Sequence, residues 1–447
     1  MSADERFASV CLACVPLSGL PQSCSARDLR NSPPIESDGL MGHALIMSDE
    51  SGKIRDEDIQ SVKQLEQLLP LMKRLHEVGC ERDRAGNRTL HMDQYVMLVL
   101  LAFFNPIVTS LRSIQQASEL KKVQQKLGCA RASLGSLSEA TQVFRSAELQ
   151  AIVSEVAARA ESLSNGSRGS QNPLRLTAVD GTLLARLPQI TQAAWQSRRH
   201  PNGWRMHAQF EILRGTPVAI EITDGRNKGA SNEKSALRRR LEADRCYVMD
   251  RGYEQFSLFN AIVAAKSSYV CRIRGDHLLT DATSRELSPV AIEAGVLEDS
   301  IGKLGSPKSV RIAHPDHAVR LVRVRVEPHP KHGGRRRHAA SQDIVLATNL
   351  LDAPAEIVAE MYRSRWQIEI FFRFFKHVLG CRHLLSEDAV GIEIQTYCGI
   401  LMCLLISLWT GKQPTLRTFE MICLYTQGWA DEEEVLAHLE KLKRHAS

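Results

Sequence analysis

Two aspartates follow short apolar runs that are typical of buried strands. Asp180 follows residues 174–179, Asp250 follows residues 246–249, and a glycine comes one or two positions after each aspartate. A carboxylate where a buried strand ends lies at the sheet edge where α/β proteins bind their ligands. Asp-Gly is also common in simple turns, and for either aspartate alone the turn is the better interpretation.

A third carboxylate lies on a long predicted helix, residues 355–379. On a wheel of 100° per residue, its polar side chains occupy an arc of about 80°: Tyr362, Arg365, Glu369, Arg373 and Lys376. A solvated helix face would give an equally narrow stripe. A carboxylate among three cations and a tyrosine, on an otherwise aromatic helix, could instead present Glu369 to a metal and the cations to phosphate oxygens.

Three carboxylates at one site would repel each other, and their pKa values would rise, unless a cation neutralises them. Oxygen ligands in that number favour Mg²⁺ or Mn²⁺ over zinc. Two such ions about 4 Å apart would activate the attacking oxygen and stabilise the leaving oxygen of a phosphodiester displacement. From residue types and spacing alone, the chain is predicted to be a metal-dependent phosphoryl-transfer enzyme.

The same residues resemble a known family. The chain contains Tyr362-x2-Arg365-x3-Glu369-x6-Lys376, with Trp366 after Arg365, and the runs Val179-Asp180-Gly181-Thr182 and Met249-Asp250-Arg251-Gly252-Tyr253. This spacing resembles the YREK signature of bacterial insertion-sequence DDE transposases of the insertion sequence 4 family. The resemblance covers about residues 174–410 and implies a cut-and-paste DNA transposase, which cleaves at transposon ends and transfers the strands into target DNA.

The resemblance also implies roles for single residues. Asp180, Asp250 and Glu369 would be catalytic and would hold two Mg²⁺ or Mn²⁺ ions, and Tyr362, Arg365 and Lys376 would bind phosphates near the transposon end. Arg373 is outside the signature and is assigned to DNA contact from its wheel position alone. Water would expose a 3′-OH, which then attacks target DNA without a covalent protein intermediate. The partners would be double-stranded DNA, as transposon end and as target, and a second copy of the chain in a homodimer on DNA.

The elements that must position these residues mix strands with helices, which predicts an α/β core flanked by helical regions. The predicted strands are residues 174–179, 205–213, 218–223, 246–249, 268–273 and 344–348, and the helices between them are 232–242 and 254–265. The 119 residues from Asp250 to Glu369 resemble family members whose ribonuclease-H-like fold is interrupted by a mostly β insertion.

These patterns divide the chain into six segments. They are a disordered lead-in (1–52), a helical candidate DNA-end-binding domain (53–165), the first part of a ribonuclease-H-like core (174–275), a β-rich insertion (276–343), the second part of the core with the Glu369 helix (344–410) and a C-terminal helical region (411–447). Within the helical domain, residues 110–120, 121–127 and 137–144 could form a helix-turn-helix-like unit with Ser133 or Ser136 as a cap. Many small helical bundles would give the same pattern.

The charge of the chain and its cysteines indicate what kind of partner it binds and in which cellular compartment it works. The 447 residues carry a net charge of +6, and the part between residues 53 and 430 carries 51 basic against 39 acidic side chains, which suits a polyanion. The eleven cysteines are scattered without a framework spacing, which predicts reduced thiols in a cytoplasmic protein. The resemblance implies that this is the bacterial cytoplasm, with the protein on the nucleoid when bound to DNA. The run Cys11-x2-Cys14 with Cys24 fits unpaired thiols better than zinc. Apolar runs at 95–104 and 398–409 are shorter than the roughly 20 residues that span a bilayer, so we expect core helices and no membrane partner.

Further residues have a functional and a plainer interpretation. Basic clusters at 198–200, 238–240 and 331–338 fit phosphate contacts or a solvated surface. His207 is expected to be an ordinary strand residue, and Trp195 and Trp204 to be core or loop anchors. The amphipathic tail 431–444 could mediate self-association. Two rival functions remain open at this point: a stand-alone ribonuclease-H-like metal nuclease and a non-catalytic DNA-binding protein derived from a transposase.

Overall fold

The computed structural model describes residues 68–78, 80, 87–105, 107–165, 174–184, 203–213, 215–277, 279–305, 314–326, 342–380, 385–386, 389–410 and 415–444. The predicted lead-in, the cysteines at positions 11, 14 and 24, Trp195 and the basic clusters at 198–200 and 331–338 lie outside these residues. The chain forms two compact units. Of the described residues, the first unit contains 165–182 and 206–370, and the second contains the rest.

The first unit is built on one large mixed sheet. Its described strands are β1 (Arg175–Leu183), β2 (Trp204–Glu211), β3 (Thr216–Asp224), β4 (Arg245–Met249), β5 (Ser268–Ile273), β6 (Leu279–Ser284), β7 (Val296–Leu304), β8 (Val319–Val326) and β9 (Gln342–Thr348). They lie in the order β3-β2-β1-β4-β5-β9-β8-β7-β6. The first-unit helices, numbered after the six helices of the second unit that precede them in the chain, are α7 (Glu233–Arg239), α8 (Phe256–Ala264), α9 (Pro289–Glu293) and α10 (Ala355–Ser364). The predicted α/β class is confirmed.

Three neighbouring strands in the middle of the sheet are parallel. Strand β4 pairs with β1 on one side and with β5 on the other, and all five of its residues are buried. Parallel strands need a crossover connection, usually a helix, and such helices cover the sheet faces. Helix α8, which connects β4 to β5, accordingly packs the Phe259 ring on the Tyr269 ring of β5, with 4.4 Å between the ring centroids. This packing holds the carboxyl ends of β1, β4 and β5 at one edge.

The strand-like residues predicted between 276 and 343 extend this same sheet. Strand β9 pairs antiparallel with β5, and β8, β7 and β6 follow it outward in antiparallel order. A buried ion pair secures this extension: Arg320 donates to both carboxylate oxygens of Asp299 at 2.7 Å, and also to the Leu350 carbonyl at 3.1 Å. The two side chains are 1% and 3% exposed, so the pair fixes the extension to the loop before α10.

The second unit is helical. Its described helices are α1 (Leu69–Met72), α2 (Met92–Phe104), α3 (Leu111–Glu119), α4 (Lys121–Leu127), α5 (Leu134–Val143), α6 (Ser146–Asn165), α12 (Ala389–Thr410), α13 (Leu416–Thr426) and α14 (Glu432–Arg444), together with most of α11 (Gln367–Gly380), which begins in the first unit. Ser110 caps α3 and Ser133 caps α5, each by accepting a hydrogen bond from a backbone N–H three residues on. The predicted succession of helices and the Ser133 cap are confirmed.

Two apolar helices form the interior of this unit. Helix α2 is buried along almost its whole length. The predicted run 398–409 is part of the longer helix α12, which starts at Ala389. By length and composition, Val390–Leu408 could cross a membrane, but 89% of that stretch is buried inside the protein, as in a core helix.

The C-terminal helix α14 packs within its own chain. Val435 and Leu439 are buried in a cluster with Tyr425 of α13, whereas Leu436 is exposed. The expectation that the apolar face of this tail mediates self-association is therefore wrong for those two residues, because α13 already covers them.

Candidate active site

The two aspartates come to neighbouring positions at the edge of the sheet. The parallel register of β1 and β4 pairs Val179 with Met249, and Asp180 and Asp250 are the next residue on each strand. Asp250 follows β4, as predicted. Asp180 does not end its strand. Strand β1 lies between β2 and β4 and continues to Leu183, although its pairing with β4 stops at Val179.

Each carboxylate accepts a hydrogen bond from the backbone of its own turn. Gly181 N donates to Asp180 Oδ1 at 2.8 Å, and Gly252 N donates to Asp250 Oδ1 at 2.7 Å. Asp250 thereby caps the short 3₁₀ turn Arg251–Tyr253, which directs the chain away from the sheet.

Glu233 is a further carboxylate at this edge, and the sequence analysis assigned it no role. It is the first residue of α7, capped by Asn232, and its side chain lies against both glycines. A Cβ atom on Gly181 would lie 2.8 Å from Glu233 Oε1, and one on Gly252 would lie 3.9 Å from Glu233 Oε2 and 2.9 Å from Asp250 Oδ1. Glycine at position 181 therefore leaves the room that Glu233 occupies. Glutamate in the first turn of a helix is common because it interacts with the helix dipole, so nothing in the sequence distinguishes Glu233 from an ordinary first-turn glutamate.

The carboxylates affect one another electrostatically. Burial raises the pKa of Asp180 to about 6; the Gly181 hydrogen bond and the positive charge of Arg365 oppose the rise, and the negative charges of Asp250 and Glu233 add to it. Like charges at one site destabilise the ionised form, and a nearby cation stabilises it. The protein alone thus leaves an acidic cluster that is only partly neutralised.

The long helix predicted at 355–379 is wrong in one respect: it is two helices, α10 and α11, separated at Arg365 and Trp366. At the junction, Arg365 N bonds to the Tyr362 carbonyl and Ile368 N to the Arg365 carbonyl, which are bonds of the tighter 3₁₀ type. The Ser364 hydroxyl also donates to the Met361 carbonyl at 2.8 Å. Such serine bonds to a preceding carbonyl compete with helix hydrogen bonds and bend helices.

The 80° arc calculated for one continuous helix consequently does not hold across the junction. Tyr362 lies on α10 and Arg365 at the junction, while Glu369 lies in the first turn of α11. Arg373 and Lys376, four and seven residues after Glu369, share its face of α11, and both belong to the second unit. Trp366 is 52% exposed at the junction.

Arg365 connects the helix junction to the sheet edge. Its guanidinium donates to Glu369 Oε1 at 2.6 Å, and its charge also acts on Asp180. Burial by itself would lower the pKa of Arg365, but the hydrogen bond to Glu369 and the nearby negative charges raise it above its usual value. The Arg365 side chain is 15% exposed and that of Glu369 is 46% exposed. One arginine therefore lies between two of the predicted catalytic carboxylates.

Tyr362 also faces this region. Its ring lies 6.0 Å from the Arg365 guanidinium carbon, burial raises its pKa, and the charge of Asp250 and a hydrogen bond with Arg272 also act on it. Each of five predicted site residues thus interacts electrostatically with at least one of the others: Asp180, Asp250, Tyr362, Arg365 and Glu369.

Other predicted residues have structural partners. His207 Nε2 bonds to the Thr223 hydroxyl at 2.8 Å on the neighbouring strand, so it is an ordinary strand residue, as expected. Trp204 is buried. In the basic cluster at 238–240, Arg239 and Arg240 both bind Glu221, and Arg238 donates to Ser257. Arg239 and Arg240 are therefore ion-paired within the protein, and phosphate contact by this cluster stays a prediction.

The carboxylate oxygens at this edge suit a hard divalent cation. Asp180, Asp250 and Glu233 supply carboxylate oxygens, which Mg²⁺ and Mn²⁺ prefer. Among the described residues, no three His, Cys, Asp or Glu side chains already form a metal-binding group, and the Glu369 carboxylate is bound to Arg365.

Two aspartates lie where the parallel pairing of β1 and β4 stops, with an arginine and a tyrosine close by. Such a site suits a divalent cation and a phosphate. Residues 171–406 match the protein family described as "Transposase DDE domain". The chain belongs to this family of DDE transposases, and the prediction of a bacterial insertion-sequence DNA transposase is confirmed.

Relatives carry the same designation. The chain is 26% identical over 266 residues to "Putative transposase y4zB" of Sinorhizobium fredii, which covers 56% of this chain and 69% of the relative. It is 34% identical over 257 residues to "Probable transposase for insertion sequence element IS5377" of Geobacillus stearothermophilus, covering 56% of this chain and 60% of the relative. A solved piggyBac transposase synaptic complex with hairpin DNA aligns with a TM-score of 0.37 and 9% identity, over 87% of each chain.

Proposed function

We propose that this transposase cuts DNA at the ends of its own element and joins the released 3′-OH to target DNA, with Asp180, Asp250 and Glu369 as the metal-holding carboxylates. The observation that carries the proposal is the parallel register of β1 and β4, which puts Asp180 and Asp250 at adjacent positions on one sheet edge. Arg365 adds Glu369 to this group, since it binds Glu369 and acts on Asp180.

The strand order supports a ribonuclease-H-like core. The run β3-β2-β1-β4-β5, with its acidic residues where the parallel pairing ends, is the arrangement that this core needs. The strands β6 to β8, joined through β9, would be the insertion that separates Asp250 from Glu369 in the sequence. The segment boundaries derived from the sequence remain part of this proposal.

Asp180, Asp250 and Glu369 would hold two Mg²⁺ or Mn²⁺ ions, and Glu233 would support them from α7. Bound ions of this kind activate an attacking oxygen and stabilise a leaving oxygen in phosphodiester displacement. The protein's own contribution is to fix the carboxylates: the Gly181 and Gly252 N–H groups orient Asp180 and Asp250. Glu369 must exchange its bond with Arg365 to join them, and that exchange would free the guanidinium for a DNA phosphate.

Tyr362, Arg365 and Lys376 would bind phosphates near the transposon end, and Arg373 would add a contact from the same face of α11 as Glu369. A guanidinium is well suited to this role because its planar fork matches two phosphate oxygens. The helices of the 53–165 region would read the end sequence. Two DNA ends must be held together for joining, which calls for two copies of the chain.

The proposal is tested with purified protein, Mg²⁺ and a plasmid that carries this gene with its native flanking DNA. We expect breaks at a flanking inverted repeat and products joined to new DNA. Cutting without end specificity or joining would instead indicate the stand-alone nuclease. An absence of cutting with Mg²⁺ and with Mn²⁺ would contradict the proposal.

A further inference from the structure

A polar cavity of about 290 Å³ lies beside the proposed catalytic residues, and its lining consists of Lys234, Arg251, Glu254 and Arg274. Two of these residues are chain neighbours of the acidic cluster, since Lys234 follows Glu233 and Arg251 follows Asp250. Arg274 comes directly after β5, the parallel neighbour of β4. The cavity is therefore at the same edge of the sheet as the carboxylates.

The one acidic residue in the lining is already bound. Glu254 Oε1 bonds to the His277 ring, and Glu254 Oε2 accepts a hydrogen bond from the Arg274 backbone N–H at 3.0 Å. Its charge thus holds the loop after β5 in place. It forms no salt bridge with the cavity's cations.

The three cations of the lining have no ion-pair partner among the residues that the structure describes. Within the part of the chain that the structure describes, no carboxylate forms an ion pair with the side chains of Lys234, Arg251 or Arg274. Arg239, Arg240 and Arg245 in the same unit are all paired with glutamates. Cations gathered around a cavity without ion-paired carboxylates attract an anion.

The lining also indicates which part of a nucleic acid fits. Bases bind on aromatic side chains, by stacking, and none of the described lining residues is aromatic or aliphatic. Phosphates bind lysine and arginine, which form charge-assisted hydrogen bonds to the phosphate oxygens. The volume is near the lower end of the roughly 300–1,000 Å³ of small-ligand pockets, enough for a phosphate with its sugar.

We infer that this cavity binds one backbone phosphate of the DNA strand, adjacent to the phosphate that is cut, through Lys234, Arg251 and Arg274. The inference rests on the proposed function. It adds a subsite on the β4–β5 side of the carboxylates, separate from the phosphate contacts assigned to Tyr362, Arg365 and Lys376. A contact to the backbone positions the strand and carries no sequence information.

The test measures how DNA binding depends on salt. The probe is a fluorescein-labelled duplex of the DNA that flanks the gene, bound to the full chain at several NaCl concentrations between about 50 and 200 mM. The test variants are K234Q and R274Q. The controls are K303Q and R323Q, which remove the same charges from residues that are ion-paired to Asp281 and Glu298.

We expect each test variant to bind more weakly and to lower the slope of log K against log salt by about 1, as for one lost phosphate contact. The controls should keep the parent slope. In a second measurement, single phosphates of the probe are replaced by neutral methylphosphonates. One position next to the cut should weaken binding of the parent but cause little further loss in R274Q.

Unchanged slopes in both K234Q and R274Q, or equal losses at every methylphosphonate position in parent and R274Q, would overturn the inference. If the parent cuts the flanking DNA while these results are negative, only the cavity assignment fails. If the parent neither binds nor cuts that DNA, the proposed function itself fails, and the cavity assignment with it.

Discussion

Replacing Glu233 with glutamine tests whether this carboxylate supports the proposed metal site. The change keeps the size of the side chain and removes its charge. Glu233 lies against Gly181 and within 4 Å of where a Cβ atom on Gly252 would be, and its negative charge acts on Asp180. We therefore expect E233Q to fold normally and to bind Mn²⁺ more weakly.

The size of the effect follows from the charge and its surroundings. For charges about 5 Å apart at an effective dielectric constant of about 40, suited to a half-buried group, each pair of unit charges interacts by about 1.7 kcal/mol. A divalent ion doubles this value, and water and side-chain relaxation reduce it. An expected loss of about 1.4–2.8 kcal/mol corresponds to a Kd about 10- to 100-fold weaker.

The assay is titration of the full chain with Mn²⁺, followed by the electron paramagnetic resonance signal of the free ion. The matched control is E298Q, in which the exposed glutamate is paired with Arg323 on β8, and it should bind as the parent does. G181A provides a second test, because its methyl group would displace the Glu233 carboxylate, and it should weaken binding in the same direction. Equal Mn²⁺ affinity in E233Q and the parent would refute the reasoning.

Three further predictions concern the site and the sheet. E369Q should keep DNA binding and lose Mg²⁺-dependent cleavage, as followed by filter binding and plasmid nicking; residual Mg²⁺-dependent cutting by E369Q would count against a metal-holding role. R365A should bind the flanking duplex more weakly, with a salt slope lower by about 1, and an unchanged slope would argue against a phosphate contact. R320M should lower the free energy of unfolding by about 3–5 kcal/mol in urea titrations, since it leaves the buried Asp299 carboxylate with only Arg285, 3.8 Å away, in place of its two hydrogen bonds from Arg320; a loss below about 1 kcal/mol would show that the pair is not needed.

Most of the secondary structure could be predicted because its patterns are local. The strand predicted at residues 268–273 matches β5, and the strands predicted within residues 276–343 match β6, β7 and β8. Apolar residues with a period of two, bounded by turn residues, determine such strands with little help from the rest of the fold. The Ser133 cap could be predicted for the same reason, because its hydroxyl binds a backbone N–H within the first turn of α5.

The helix junction at Arg365 was missed because its cause is one competing hydrogen bond. The helical spacing of polar and apolar residues continues through Ser364, Arg365 and Trp366, so a helical wheel shows no interruption. The Ser364 bond to the Met361 carbonyl and the 3₁₀-type backbone bonds at the junction depend on the folded conformation and cannot be seen in the sequence. Serine inside a predicted helix is a weak warning of such a bend.

The three signature carboxylates of the candidate site could be predicted from the sequence, but the residues around them could not. Asp180, Asp250 and Glu369 lie in motifs that fix their type and order. Glu233 comes to the site only because α7 packs across the ends of β1 and β4, which is a long-range contact. The cations of the cavity are likewise distributed over 40 residues of sequence, from Lys234 to Arg274, and only the parallel strands bring them together.

The most direct test of the central claim is an anomalous diffraction map of the protein with Mn²⁺ and a duplex of its flanking DNA. The account predicts two manganese peaks bound by Asp180 and Asp250, with Glu369 turned from Arg365 to one of the ions. Peaks elsewhere, or a Glu369 carboxylate that stays on Arg365 while manganese occupies the aspartates, would contradict it.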